Sequence, residues 1–234
     1  MNLERRPILF IGGSGLSGWI WEDVRARLGA HPGDGVTARP ATGTRASLRD
    51  YAAAALDSAP GGEFTVVAHS SGGVIAAELA RRAPERVAAL LAVSAVIPAP
   101  GRSFIETLPA PNRWLLGLVM SLTSTRPPAS SIRRGLAYGL NEELAGRIIS
   151  GFVPESRHLY RDRVGAGTWA GRCGYVLTTR DRELPFAVQR KSAQTLGAEW
   201  TREIATGHLP MLEDPRALTA AITDFLAEED QTRR

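Results

Sequence analysis

Cysteine and lysine are nearly missing from this chain of 234 residues: Cys173 and Lys191 each stand alone. A single cysteine excludes an intramolecular disulfide, and its rarity predicts a reducing, cytoplasmic setting. Long apolar runs are also missing. Val87–Ile97 and Trp114–Val119 are the longest, and both fall far short of a membrane-spanning helix. Met1–Pro7 passes straight into a strand-like Pro7–Ile11 and then glycines, which predicts neither a secretory signal nor a membrane partner. The formal charge of +4 has no focus, because Arg5, Arg25, Arg45, Arg81, Arg133 and Arg161 are scattered with acids between them. A nucleic-acid partner needs its basic residues gathered on one face or in one run, so that class is set aside. With 44% apolar and 22% charged residues, what is left is one soluble domain long enough to bury a sizeable core.

Short apolar runs alternate with amphipathic stretches along the chain. Pro7–Ile11, Val36–Ala38, Phe64–Ala68, Val87–Val93, Tyr175–Thr179 and Trp200–Ile204 read as buried strands. Helical patterns cover Trp19–Leu28, Ser47–Ser58, Gly72–Arg82 and Pro215–Ala227. This alternation predicts an α/β fold with a mostly parallel sheet and helices on both faces. Residues 98–168 break the rhythm: they are rich in proline and hold short helical patterns at Arg113–Leu122, Ile132–Leu140 and Glu142–Ser150. They are expected to form a helical cap inserted after the strand at 87–93, over a core made of 1–97 and 169–234. Cap residues Phe104, Leu108, Trp114, Leu118 and Met120 would make either an apolar pocket or plain core.

Two motifs compete for the chemistry. Gly13-Ser14-Gly15-Leu16-Ser17-Gly18 fits the dinucleotide pattern G-x-G-x-x-G between a strand and a helix, and Arg39 could meet an NADP phosphate. The proton-donating Tyr-x-x-x-Lys pair of short-chain reductases is missing, however, since Ala187 stands four residues before Lys191. The stronger motif is Val66-Val67-Ala68-His69-Ser70-Ser71-Gly72-Gly73. A nucleophile elbow needs small residues two before and two after its serine, because the strained turn leaves no room for larger ones. Ala68 and Gly72 meet that need around Ser70, whereas a nucleophilic Ser71 would place His69 at a small-residue position.

A base and an acid follow in the required order. Of four histidines, His31 lies in a loop before the second strand and His158 in the cap segment. His69 abuts the serine, so its side chain is expected to point elsewhere. His208, in Thr206-Gly207-His208-Leu209-Pro210, follows the last strand and can reach the carboxyl ends of the sheet. Asp181 follows the strand Tyr175–Thr179 at the same end; Glu183 and Asp214 are weaker substitutes. The alternatives are a helix-capping His208 and a surface Asp181 paired with Arg180 or Arg182. Ser70, Asp181 and His208 together offer a nucleophile, a carboxylate that orients the base, and the base itself. An oxyanion then needs fixed N–H donors: Ser71 offers one, and the glycine loop after the first strand should offer the other.

With these residues in place the sequence resembles the α/β-hydrolase superfamily, and within it small esterases grouped with plant methylesterases and hydroxynitrile lyases. The likeness rests on Pro7–Ser14, Trp19-Ile20-Trp21, Val96–Phe104, Tyr175–Asp181 and Gly207-His208. It implies that Ser14 and Ser71 supply the oxyanion N–H groups. Two positions depart from the family. Gly12 replaces its usual histidine before the oxyanion glycine, and Leu209 replaces the lysine that plant hydroxynitrile lyases carry after the catalytic histidine. The second departure favours ester hydrolysis over cyanohydrin cleavage. The expectation is therefore a serine esterase of a small-molecule ester, using no cofactor and no metal. A lyase, thioesterase or cyclase on the same residues, or a ligand receptor, are the alternatives.

Overall fold

The computed structural model describes residues 5–29, 31–41, 43–110 and 125–232. Six strands, β1 (Ile8–Ile11), β2 (Gly35–Val36), β3 (Phe64–His69), β4 (Val87–Val93), β5 (Arg172–Thr178) and β6 (Trp200–Ile204), form one sheet in the order β2-β1-β3-β4-β5-β6. Every pairing is parallel. The strands are apolar almost without interruption because helices cover both faces of the sheet. Within β1, Ile8 and Phe10 enter one core cluster, with Val24 of helix α1 (Glu22–Leu28) and Ile222 and Phe225 of the last helix. Leu9 and Ile11 face the other way, onto Leu48, Tyr51 and Ala52 of α2 (Leu48–Asp57) and Val74 and Leu79 of α3 (Gly72–Arg82). Burying each such side chain contributes about 1.5–3 kcal/mol.

The chain runs from β1 to β2 on one side and then returns to place β3 on the other. Their carboxyl ends thus flank a topological switch point, where the loop after β1 meets the turn after β3.

The boundaries differ from expectation in instructive places. The helical pattern Trp19–Leu28 divides into a 3-10 turn at Gly18–Trp21 and α1. Between β4 and β5 the described residues form only short helices: α4 (Phe104–Thr107), α5 (Ala129–Arg134), α6 (Glu142–Gly151) and α7 (His158–Arg161). The pattern at Ile132–Leu140 does not persist as one helix; α5 ends at Gly135 and turns follow. Arg113–Leu122, with Trp114, Leu118 and Met120, lies outside the described residues. Helix α8 (Phe186–Leu196) had no counterpart in the sequence reading, because buried Gln189 and Ser192 break its apolar stripe. Its stop signal was nonetheless present, since Gly197 takes a left-handed conformation at φ 70°. The chain closes with α9 (Pro210–Glu213) and α10 (Pro215–Thr232).

Cys173 is buried, and that burial pushes its thiol up to about 12. No helix among the described residues is long and apolar enough to cross a membrane.

Candidate active site

Ser70 directly follows β3 and takes φ 54°, a left-handed conformation that is unfavourable for a non-glycine residue. The strain is held in place by backbone packing. A Cβ on Gly72 would lie 2.7 Å from the Gly12 carbonyl oxygen and 2.9 Å from that of Ile11, both of them backbone atoms that cannot move aside cheaply. Gly72→Ala is expected to destabilise the fold by about 1–3 kcal/mol through that overpacking. The urea midpoint measures it, and an unchanged midpoint would show that the turn is looser than its geometry.

The carboxyl ends of β5 and β6 bring the other two residues alongside. Thr179 N–H donates to the Ile204 carbonyl at 3.0 Å and Arg180 N–H to that of Thr206 at 2.9 Å, so the two loops run as a continuation of the ladder. Asp181 Oδ2 lies 2.7 Å from His208 Nδ1, and His208 Nε2 lies 2.9 Å from Ser70 Oγ. A carboxylate can only accept, so Nδ1 carries the proton and Nε2 is left to accept from the serine. His208 is 1% exposed. Burial acts against its charged form, but the Asp181 carboxylate outweighs burial and leaves its pKa raised above 6.5. For Asp181, burial pushes the pKa up, yet His208 and the N–H groups of Glu183 and Leu184 outweigh it and hold the carboxyl below its usual range.

The predicted nucleophile, acid and base therefore meet in one hydrogen-bonded line. Neither alternative holds for Asp181. Arg180 donates to Glu213 at 2.8 Å, and Arg182 lies over the Tyr138 ring at 3.6 Å. Asp214 is engaged at the start of α10, accepting from Ala217 N–H at 2.9 Å. His31 and His158 lie beside Asp34 and Asp162, away from the serine.

Several groups in this site were not foreseen. His69 does not merely point away. Its Nε2 lies 2.8 Å from the His208 carbonyl oxygen, and its ring packs, tilted by 55°, with its centroid 4.7 Å from that of His208. Burial and the neighbouring His208 push His69 down to about 3, so it is neutral and Nε2–H is the donor that tethers the base's backbone. Gln189 of α8 clamps the acid loop: its Nε2 donates to the carbonyls of Leu184 and Thr178, and its Oε1 accepts from Thr178 N–H. Thr178 Oγ1 in turn donates to Asp181 Oδ2 at 2.9 Å. Only the position of these residues at strand ends and helix starts could have singled them out.

The glycine loop after β1 stands directly opposite the elbow. Ser14 N–H donates to Ser71 Oγ at 2.8 Å, and the two hydroxyls lie 2.6 Å apart. The loop is fixed from behind by the buried Glu155, which accepts from Gly15 N–H, Arg39 Nε and Tyr51 OH. Arg39, the candidate phosphate partner, is thus bound within the fold and also donates to the Leu16 carbonyl. Where Gly12 replaces a histidine, the space next to it holds the buried Trp21 Nε1, which has no hydrogen-bond partner among the described residues.

Ser70, Ser71, Ser14 and His208 open onto a cavity of about 470 Å³. Its described walls are mainly apolar and include Leu16, Phe104, Ile132, Leu136 and Phe152. Phe104 thus lines the pocket, whereas Leu108 packs with Val96, Leu184 and Val188. Among the described residues, no group of three His, Cys, Asp or Glu side chains is placed to hold a metal ion.

This architecture is shared. The model of the alpha/beta hydrolase family matches residues 8–222. The chain belongs to the α/β-hydrolase family. Among solved α/β-hydrolase structures it is similar to an extracellular α/β-hydrolase from a Paenibacillus species, described as sharing structural and functional homology with tobacco salicylic acid binding protein 2. That match has a TM-score of 0.79 and 15% identity, over 94% of this chain and 98% of the other. It is also similar to a pyrethroid hydrolase from Sphingobium faniae (TM-score 0.73, 22% identity, 95% and 97% covered). A third likeness is to polyneuridine aldehyde esterase (TM-score 0.73, 19% identity, 94% and 99% covered). At these identities the likeness is one of fold. No curated protein matches the chain by sequence.

Proposed function

We propose that this α/β-hydrolase is a serine esterase that cleaves a small-molecule carboxylic ester through an acyl-enzyme on Ser70. The observation that carries the reading is the line Ser70–His208–Asp181 at the floor of a cavity large enough for a small ester. Residues 98–168 act as the cap over that cavity, and the enzyme works without a cofactor in a cytoplasmic setting.

In this reading Ser70 Oγ attacks the ester carbonyl carbon while its proton passes to His208 Nε2. Asp181 stabilises the imidazolium that forms and keeps the proton on Nδ1 throughout. The tetrahedral oxygen is held by the N–H groups of Ser14 and Ser71. His208 returns its proton to the leaving alcohol oxygen, and water then attacks the acyl carbon by the same route. Leu209, buried after His208, offers no amine for a cyanohydrin substrate. Hydrolase and esterase neighbours on the same fold support hydrolysis.

The test is intact-mass spectrometry after treatment with a fluorophosphonate. One adduct on the wild type that vanishes in Ser70→Ala is the expected result. A folded wild type that takes no adduct would overturn the acyl-enzyme reading.

The Ser71 hydroxyl has a consequence of its own. It occupies the Ser14 N–H that the tetrahedral oxygen needs, so catalysis must displace a neutral hydrogen bond. Ser71→Ala releases that donor, and kcat/KM is expected to rise by about two- to tenfold, the worth of one such bond. A fall of similar size would mean that the hydroxyl itself donates to the oxyanion.

A further inference from the structure

One charged group in the cavity wall has no role in the chemistry above. Glu183 lines the same cavity as Ser70 and His208, and it is solvent-accessible there. Its backbone N–H supports Asp181, but its carboxylate makes no hydrogen bond or ion pair among the described residues. The arginines nearest in sequence are turned elsewhere, Arg180 to Glu213 and Arg182 to the Tyr138 ring. Arg126, the other charged residue among the described walls, donates to the carbonyls of Phe152 and Ile149.

Gly135, at the end of α5, carries no side chain, and the Glu183 carboxylate occupies the space that a Cβ there would contest. Burial raises its carboxyl above the ordinary range, and the Asp181 charge adds to that while His208 offsets part of it. A carboxylate on a mainly apolar cavity wall, with no partner among the described residues, is free to meet an incoming cation.

We infer that Glu183 is the recognition point for a positively charged nitrogen on the substrate, so that the preferred ester joins an apolar body to an ammonium-type group a few bonds from the scissile carbonyl. This rests on the esterase reading and narrows its substrate class. A cation there meets the carboxylate, while the apolar body of the ester lies against Leu136 and Ile132 of the same wall. A carboxylate-bearing ester meets like charge in the same place and is rejected.

The test compares phenyl esters of one short acid ending in trimethylammonium, in the isosteric tert-butyl group, or in carboxylate. A second series carries the same groups on the alcohol half. In at least one series the wild type should favour the cationic ester over its neutral isostere by about tenfold or more in kcat/KM. Glu183→Gln should reduce that ratio to about twofold or less, while Glu183→Asp, which keeps the charge, should retain most of it. The ratio is read rather than the rate, since both esters share any general loss. Equal rates in the wild type, or a preference that survives in Glu183→Gln, would overturn the inference.

Calorimetric binding of the same esters to Ser70→Ala, with and without Glu183→Gln, separates the two readings. If the wild type hydrolyses none of the esters, the esterase reading fails. Tighter binding of the cation, lost with Glu183→Gln, then still supports Glu183 as a cation site, and its absence refutes it.

Discussion

Ser70→Ala is expected to lower kcat for ester hydrolysis by about 10⁴- to 10⁶-fold and to leave the fold intact. The attacking oxygen is lost outright, and no other hydroxyl can replace it. Ser71 Oγ is bonded to the N–H and hydroxyl of Ser14, and His208 Nε2 is directed to Ser70. The residual rate comes from binding and from the Ser14 and Ser71 N–H groups, which survive the substitution. Stability should change little, because among the described residues the only hydrogen bond of Ser70 Oγ is the one to His208 Nε2. One neutral hydrogen bond contributes about 0.5–1.5 kcal/mol, and alanine, which also carries a Cβ, meets much the same steric cost as serine at φ 54°. Initial rates together with a urea midpoint check both halves. A variant that keeps more than about a tenth of wild-type activity would remove Ser70 from the mechanism.

Asp181→Asn is expected to cost about 10³- to 10⁴-fold in kcat at neutral pH, with the site geometry nearly unchanged. Asp181 accepts from five groups: His208, Thr178 and Gln189 on one oxygen, and the N–H groups of Glu183 and Leu184 on the other. An asparagine satisfies the backbone pair with its carbonyl oxygen and turns its NH₂ towards His208. Nδ1 must then accept, the proton moves to Nε2, and the base can no longer take a proton from Ser70.

The pH profile separates this from a simple loss of packing. In the wild type, burial lowers and Asp181 more than restores the affinity of His208 for its proton, leaving the pKa raised. Because the neutral imidazole is the working form, kcat/KM for an uncharged ester should fall on the acid side with an inflection above 6.5. Removing the Asp181 charge leaves only the smaller influence of Glu183 against burial, so the inflection of the variant should move down. Activity within tenfold of the wild type, with an unmoved inflection, would show that Asp181 does not orient the base.

Much of this site was legible along the chain because its causes are local. The small residues Ala68 and Gly72 flank Ser70 because a strand-to-helix turn has no room for others, and that constraint acts over five residues. Asp181 and His208 were legible because strand ends in a parallel sheet point to one edge. Elsewhere the local signal failed. Arg180 and Arg182 flank Asp181 and were its plausible partners, yet Glu213 and the Tyr138 ring hold them. His69 looked idle beside the nucleophile, but its ring lies next to that of His208. Gln189 hid helix α8 from a periodicity reading because a buried polar side chain breaks an apolar stripe, and it is buried to clamp the acid loop.

Sequence alone determined the parallel α/β architecture, the strained serine and the order in which acid and base follow it. Period, turn sterics and strand polarity are properties of short segments, and they survive without knowledge of neighbours. Tertiary structure decided which of several similar groups face one another. It set Ser71 Oγ on the Ser14 N–H, Glu155 behind the glycine loop, and Glu183 in the cavity wall. Those outcomes depend on contacts between residues tens to more than a hundred positions apart, where hydrogen-bond reach of about 3 Å, not sequence distance, selects the partner.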